Sequence, residues 1–193
     1  ISKETMELKE AILNRRTVRR FNSKAISDET LLDILEAGTW APSHGNNQPW
    51  EFILAGPETR GKLAVAYRKA MESGPLLNPD LPEERKQVIR NFSMNFGDAP
   101  VILAVTCAPA LTDLDRYDFP MSAAAAIQNI LLAAWEKQIA GVWLSFGSTP
   151  QARSLFGIPE EGKIAGILAL GYPEVIPPAQ PRISAINKLS KLP

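Results

Sequence analysis

The sequence predicts an α+β sandwich in which helices flank a mixed central sheet. Three observations predict it: two long apolar runs bounded by Pro or Gly, helical apolar periodicity in several other segments, and no strict alternation of strand and helix. The chain has 193 residues, of which 45% are hydrophobic and 22% charged, as in ordinary globular proteins. We therefore expect one domain over residues 1–193, with a Pro-rich C-terminal arm over about 174–193.

Two helices are expected before the first strand. The first is predicted over about Glu4–Asn14. The second has a natural N-cap in Ser27, followed by acidic residues that suit the positive end of a helix dipole, and Gly38 would end it. Spacing along this second helix indicates one buried face, formed by Leu31, Ile34 and Leu35.

The middle of the chain predicts a strand, two helices and a second strand. The run EFILA (51–55) is the first strand, and apolar residues at helical spacing over 63–71 predict the helix that follows. Residues 74–82 are expected to form a loop, and 83–96 a helix. The run PVILAVTC lies between Pro100 and Pro109 and predicts a strand buried on both faces.

The second half contains the most apolar helix of the chain. It is predicted to start at Pro120, is apolar almost all round through its first four turns, and should be the buried spine of the fold. Its end at Gly141 leads into a strand, GVWLSF. Thr149 is expected to cap a short helix that ends near Gly157, and KIAGILALGY (163–172) is the last strand.

Composition limits the possible functions. Lys and Arg together number 21, as do Asp and Glu, so no overall field favours nucleic acid or an anionic membrane. No apolar run is long enough for a membrane span and the start has no secretory signal pattern, so we expect a cytoplasmic protein. The single cysteine, Cys107, excludes an internal disulfide and a cysteine-based zinc site, and is expected to be a buried small hydrophobe.

The first candidate site is RRTVRRF, residues 15–21. Guanidinium groups bind phosphate oxygens well, so this segment suits a phosphate-bearing ligand. The alternative is that the cations complement the C-terminus of the preceding helix and stay solvated. A nucleic-acid patch is a third option, disfavoured by the neutral net charge and the lack of interleaved aromatics.

The second candidate is the loop WAPSHGNNQPW, residues 40–50, which holds the only histidine of the chain. Its amides and its serine offer donors and acceptors for the polar edge of a flat heterocycle. A metal role for His44 is disfavoured because the chain has no second His or Cys pair to complete a site, and no G-x-S-x-G motif supports a triad. From the residues alone, His44 is expected to be a hydrogen-bonding loop residue.

The third candidate is GVWLSFGS, a strand that carries Trp143 into a loop of small residues. Trp143 is either a core residue or a cofactor contact. The chain lacks the Gly-rich dinucleotide fingerprint after a strand and the P-loop motif, so a nicotinamide would have to bind transiently. Arg182 lies in the Pro-rich tail, which would hold it in a defined place; the alternative is a solvated tail residue.

Together these segments resemble the nitroreductase family of FMN-dependent oxidoreductases. The order is RRTVRRF, then LLDILEAGTWAPSHGNNQPWEF, then SAAAAIQNILLAAWEKQIAGVWL, then KIAGILALGYPE. The most specific element is APSHGNNQPWEF, and the resemblance covers essentially the whole chain. It implies a nitroreductase-like α/β sandwich that forms a homodimer with FMN at the subunit interface, each site built from both chains.

The resemblance also implies how the cofactor is bound. The ribityl phosphate and the nearby flavin would be held by Arg15, Arg16 and Thr17. Arg19 would approach the pyrimidine edge of the flavin. Arg182 would lie at the phosphate. The end of the third strand would line the flavin with Trp143, Leu144 and Ser145. Contacts to the flavin of the partner subunit would come from Trp40, Ser43, His44 and Asn46.

The activity implied is ping-pong hydride transfer from NAD(P)H through N5 of FMN to an electron-poor acceptor such as a nitroaromatic or a quinone. The flavin would carry the chemistry, so no catalytic side chain and no metal are expected. The alternatives are specialised flavin chemistry on the same fold, such as reductive dehalogenation, or a non-enzymatic dimer that binds nucleic acid or another anion. The resemblance assigns no residue in 74–98, which caps the acceptor side in this fold.

Overall fold

The computed structural model describes residues 6–192. Over these residues, short 3-10 turns and loops connect ten regular elements. In chain order they are α1 Leu8–Asn14, α2 Asp28–Thr39, β1 Trp50–Leu54, α3 Pro57–Glu72, α4 Glu83–Asn95, β2 Val101–Cys107, α5 Asp113–Glu136, β3 Ala140–Leu144, α6 Pro150–Leu155 and β4 Lys163–Gly171. The α+β class is confirmed.

The strands form one sheet in the order β1-β2-β4-β3, and each adjacent pair is antiparallel. The sequence predicted a mixed sheet; in the described residues the parallel component is an isolated bridge between Thr17 and Gly141. The reason is that burial on both faces, which is typical of parallel strands, arises here from helices on both sides of an antiparallel sheet. β1 and β3 are the two edge strands.

Alternate residues of β2 face the two halves of the core. Ile102 and Ala104 belong to a cluster with α3 and α4, whereas Leu103 and Val105 belong to a cluster with α2 and α5. This is the period of two that a strand imposes on its side chains. β2 is therefore buried on both faces, as its apolar run predicted.

The predicted Ser27 cap is confirmed, because its hydroxyl accepts a hydrogen bond from the Thr30 N–H at 3.2 Å. Gly38 was wrongly expected to end α2, which continues to Thr39. A Cβ at Gly38 would lie 2.8 Å from Cγ1 of Ile130. The glycine therefore serves the close packing of α2 on α5 rather than the end of the helix.

The start of α5 differs from the sequence prediction. The helix begins at Asp113, not at Pro120, because Thr112 and Asp115 form a capping box: the Thr112 hydroxyl accepts from the Asp115 N–H at 3.0 Å, and the Asp115 carboxylate accepts from the Thr112 N–H at 2.9 Å. Pro120 lies inside the helix. The helix ends at Glu136 and its second half is the buried spine that the composition predicted.

The ends of the described residues hold a short helix and an exposed segment. Of the predicted first helix, Glu4 lies outside the described residues, and α1 begins at Leu8 after Glu7. After β4, Glu174 is tied to Arg20 by an ion pair and by its N–H, which donates to the Arg20 carbonyl at 3.1 Å. Residues 178–192 are exposed. Among residues 6–192, no helix combines the length and apolar character needed to cross a membrane.

Candidate functional site

The arginine-rich segment lies along the first residues of β3. Thr17 bridges to Gly141, and the Val18 N–H donates to the Gly141 carbonyl at 3.3 Å. Val18 and Phe21 are buried and fix the segment to the core. Arg15, Thr17 and Arg19 are not buried.

Gly97 fixes the backbone of Arg19. A Cβ at Gly97 would lie only 2.1 Å from the Arg19 carbonyl oxygen, and Gly97 itself has a φ of +63°. Its carbonyl accepts the Phe21 N–H at 2.9 Å. The loop after α4 and the arginine segment therefore meet through backbone contact that a glycine permits.

Arg15 and Arg182 lie near each other. Burial lowers the pKa of Arg15, and the positive charges of Arg182 and then Arg16 lower it further. Neither Arg15 nor Arg182 forms an ion pair with a carboxylate among the residues that the structure describes. A group of like charges of this kind favours a bound anion.

Arg16 has a different role from Arg15. Its Nη1 donates to the carbonyls of Leu13 at 2.7 Å and of Arg15 at 2.9 Å. It therefore complements the C-terminus of α1, which is the alternative that the sequence left open for this cluster. Its charge still acts on Arg15.

A cavity of about 450 Å³ lies between β3 and the helices α3 and α4. Four of the predicted site residues line it: Arg19, Trp143, Leu144 and Ser145. Tyr67 also lines it and packs edge-on against Phe92 and Phe146, at ring centroid distances of 5.9 and 5.4 Å. Burial lowers the pKa of Arg19, and burial raises the pKa of Tyr67, against the opposing charge of Arg19. The cavity therefore joins a guanidinium to an aromatic wall.

The indole of Trp143 rests on β4. Its Nε1 donates to the Ala165 carbonyl at 3.3 Å, and a Cβ at Gly166 would lie 2.1 Å from the same nitrogen. Trp143 stays 40% exposed. Trp143 is thus a fixed, partly exposed aromatic surface rather than a core residue.

Sequence analysis missed Arg85, which also lines the cavity. The residue belongs to α4, within the region 74–98 where the motif resemblance assigns nothing. Its charge lowers the pKa of Arg19. The sequence signal was weak because the surrounding EERKQVIR is typical of a solvated helix face.

The loop before β1 is closed by its own hydrogen bonds. The Ser43 hydroxyl accepts the Gln48 N–H at 3.1 Å, and Gly45, Asn46 and Gln48 have φ values of 55°, 56° and 47°. His44 Nδ1 lies 3.8 Å from Oδ2 of Asp118 on α5, which is longer than a hydrogen bond. The Trp40 side chain is 80% exposed. The loop presents an open, polar surface.

The structure does not bring this loop to the cavity within one chain. The loop enters β1, which is separated from β3 by β2 and β4. Neighbouring strands lie about 4.8 Å apart, so the entry to β1 is about 14 Å across the sheet from β3. The predicted residues therefore fall into two surfaces, one at each edge of the sheet.

Two further features bound the site. A larger groove of about 1040 Å³ lies between α3 and α6, and none of the predicted site residues lines it. Among residues 6–192, no group of three or more His, Cys, Asp or Glu side chains is placed to hold a metal ion. The arginine segment and the β3 cavity are therefore the candidate functional site.

Comparison with known proteins gives the class. The family model described as "Nitroreductase family" matches residues 12–172, and the chain belongs to this family. The likeness extends to a protein of Bacillus subtilis strain 168 named "Putative NAD(P)H nitroreductase YfhC", which is 30% identical over 187 residues, 96% of this chain and 94% of that protein.

Two solved structures share the fold. A nitroreductase-like family protein from Bacillus cereus has a TM-score of 0.79 and 28% identity, over 100% of this chain and 99% of that chain. Oxidized iodotyrosine deiodinase bound to FMN and 3-iodo-L-tyrosine has a TM-score of 0.77 and 26% identity, over 92% and 96% of the two chains. The family resemblance that the sequence motifs indicated is confirmed.

Proposed function

We propose that this protein is an FMN-dependent oxidoreductase that transfers hydride from NAD(P)H to an electron-poor aromatic or quinone acceptor. The observation that carries the proposal is the continuity of the arginine segment, which has a cluster of positive charges at Arg15 and borders the β3 cavity at Arg19. A ligand with a phosphate group and a planar ring could bind its phosphate at Arg15 and its ring at the cavity beside Arg19.

The residues fit FMN. Its phosphate needs fixed cations, and Arg15 and Arg182 form such a pair without a carboxylate partner among the described residues. Its ring system needs a mainly apolar wall, which Tyr67, Leu144 and Phe146 offer. The cavity volume is within the usual range of about 300–1,000 Å³ for small-molecule sites. The family membership and the FMN of the deiodinase structure support the same cofactor.

Bound FMN would supply the redox chemistry, because it accepts a hydride from NAD(P)H and passes two electrons to the acceptor. The residues of this chain would bind and tune it. Arg19, at the edge of the cavity, would stabilise negative charge that develops on the pyrimidine side of the ring. Tyr67 and its aromatic neighbours lower the polarity around that guanidinium and so strengthen its effect.

No side chain of this protein would form a covalent bond to the substrate or the cofactor. Thr17 lies between Arg15 and Arg19 and would hydrogen-bond the ligand beside the phosphate. Ser145 begins the turn after β3 and would offer its N–H or hydroxyl to the ring. These contacts position a bound ring, so their removal should affect affinity more than the chemical step.

We further propose that the protein acts as a homodimer with each FMN between subunits. The 40–48 loop lies across the sheet from the β3 cavity in its own chain, so a partner is needed to bring Trp40, Ser43, His44 and Asn46 to a flavin. Apolar side chains that a second subunit would cover are exposed on α1 and in the tail: Leu8 66%, Ile12 54%, Ile183 66% and Ile186 76%.

A second candidate is reductive dehalogenation at the same site. The similarity to the deiodinase structure favours it, because that protein was solved with FMN and an iodinated aromatic amino acid. The two candidates differ in the acceptor and share the cofactor. A comparison of acceptors therefore separates them without any change to the protein.

The test is steady-state turnover by the FMN-loaded protein with NADH or NADPH, against a panel of nitroaromatics, quinones and halogenated phenols. We expect nucleotide oxidation that depends on the nitroaromatic or quinone, with parallel lines in double-reciprocal plots as ping-pong kinetics require. Halide release without nitro reduction would favour the second candidate. No acceptor-dependent oxidation with any class would contradict both.

A further inference from the structure

Two arginines enter the β3 cavity from opposite sides. Arg19 comes from the segment bound to β3, together with Trp143 and Leu144. Arg85 comes from α4, where Val88 and Ile89 line the same wall. No Asp or Glu is among the described residues that line this cavity. The space between the two walls is therefore positively charged with an apolar lining.

Arg85 is free to bind a ligand. It has no ion pair or side-chain hydrogen bond within residues 6–192, whereas Arg90 on the same helix is paired with Glu83. Arg85 also affects Arg19. Burial lowers the pKa of Arg19 most, and the positive charge of Arg85 lowers it further. A negative group between them would relieve this repulsion.

We propose that Arg85 is a specificity-determining residue that binds an anionic substituent, a carboxylate, on the aromatic acceptor. This inference rests on the proposed function, in which a planar cofactor lies against the β3 wall and leaves the α4 wall to the acceptor. The preferred acceptors are then electron-poor aromatics that carry a carboxylate, such as nitrobenzoates. Val88 and Ile89 contact the ring while the guanidinium fork takes both carboxylate oxygens.

A second anion could bind Arg85, namely the 2′-phosphate of NADPH. The acceptor is favoured because Arg85, although exposed, lines the same cavity as the apolar side chains of Val88 and Ile89. A nucleotide role would change the preference between NADPH and NADH. An acceptor role would change the preference between charged and neutral acceptors.

The experiment compares the FMN-loaded wild type with Arg85→Gln and with Arg90→Gln, a control that removes the same charge from the same helix outside the cavity. For each, kcat/KM is measured with 4-nitrobenzoate and with nitrobenzene, and with both nucleotides. We expect Arg85→Gln to lower the ratio of 4-nitrobenzoate to nitrobenzene by about tenfold or more, since a charge-assisted bond is lost. Arg90→Gln should leave this ratio within about twofold, as expected for an exposed ion pair.

A second readout does not depend on turnover. Isothermal titration calorimetry of the oxidised, FMN-loaded protein with benzoate should show binding that Arg85→Gln weakens by a similar factor and Arg90→Gln does not. If benzoate does not bind the wild type, or binds both variants equally, the inference is wrong. Loss of FMN from Arg85→Gln would make Arg85 a cofactor ligand and also overturn it.

The outcomes separate this inference from the proposed function. Turnover of both acceptors with an unchanged ratio in Arg85→Gln leaves the oxidoreductase function intact and contradicts the role of Arg85. Absence of turnover with any acceptor, together with benzoate binding that requires Arg85, contradicts the function and supports the anion subsite. A change confined to the NADPH to NADH preference assigns Arg85 to the nucleotide and overturns the acceptor role.

Discussion

Arg15 and Arg182 stand near opposite ends of the chain, yet they lie close enough for the charge of Arg182 to lower the pKa of Arg15. Like charges repel, so the fold holds this pair together at a cost that a bound anion would reverse. Arg182 belongs to the exposed tail, and its place beside Arg15 links that tail to the arginine segment. The pair is the feature that most directly supports a phosphate-bearing cofactor.

Replacing Arg15 by alanine should weaken FMN binding by about 10- to 150-fold, because one charge-assisted phosphate contact is worth about 1.5 to 3 kcal/mol. The measurement is a titration of apoprotein with FMN, followed by flavin fluorescence. Arg20→Ala is the matched control, since Arg20 is in the same cluster but is paired with Glu174. Equal FMN affinity in wild type and Arg15→Ala would remove Arg15 from the site.

Replacing Gly97 by alanine should lower both stability and FMN affinity. Its φ of +63° is strained for any other residue, at about 1–2 kcal/mol, and the new Cβ would lie 2.1 Å from the Arg19 carbonyl. That second clash should add about 1–3 kcal/mol and displace Arg19. Urea unfolding and FMN titration measure the two effects.

Gly157→Ala is the control for backbone strain alone. Gly157 has a φ of +68°, and no atom lies within 4 Å of its ideal Cβ position. It should lose only the strain energy, and its FMN affinity should match the wild type. If both alanine variants lost the same stability and the same FMN affinity, the contact between Gly97 and Arg19 would have no role in the site.

Cys107 should be inert in the folded protein. Burial raises the pKa of its thiol to about 11, so at pH 8 only about one molecule in a thousand holds the reactive thiolate. We expect labelling by a thiol reagent at pH 8 to be slow in the native state and fast in denaturing guanidinium. Rapid native labelling would show that the thiol is accessible, contrary to its position in the core.

The same raised pKa gives a direction for stability. The folded protein holds the thiol proton more tightly than the unfolded chain, so the contribution of Cys107 is complete below about pH 9 and is lost as pH rises towards 11. The free energy of unfolding should therefore fall over that interval, and fall less in Cys107→Ala. Identical pH profiles for the two proteins would contradict this assignment.

Removal of residues 177–193 should convert the protein to a monomer that binds FMN weakly. The truncation keeps Glu174 and its contacts to Arg20, so the core is left intact. Light scattering gives the mass and an FMN titration the affinity. Because the truncation also removes Arg182, the full-length Arg182→Ala variant is needed: it should lose affinity but stay dimeric. A truncated protein that remains a stable dimer would rule out a tail that covers the partner.

Local signals in the sequence predicted most elements of the fold. Ser27 and Thr149 both cap helices with the hydrogen bonds expected of them, and the run between Pro100 and Pro109 forms β2. The start of α5 was missed because Pro120 is also tolerated inside the helix, where Thr112 and Asp115 had already formed a capping box. Strand direction was not predictable, because helices on both faces give an antiparallel strand the same continuous apolar run as a parallel one.

For the candidate site, the sequence could not predict which of the proposed residues share a cavity. Arg19 and Trp143 share a cavity because Val18 is hydrogen-bonded to Gly141, a contact between distant segments that no local pattern specifies. Arg85 has the pattern of a solvated helix residue and is exposed, and only the packing of α4 on α3 makes it part of the cavity lining. His44 lies on an exposed loop beside Asp118, and the flavin contact proposed for it requires a partner subunit.

The central claim is that this chain binds FMN at the arginine segment, and the most direct measurement is a spectroscopic titration of purified protein with FMN. We expect a yellow complex that saturates at one FMN per chain, with quenched flavin fluorescence and with weaker binding in Arg15→Ala. A colourless protein that cannot be reconstituted with FMN, under conditions where it is folded, would contradict it.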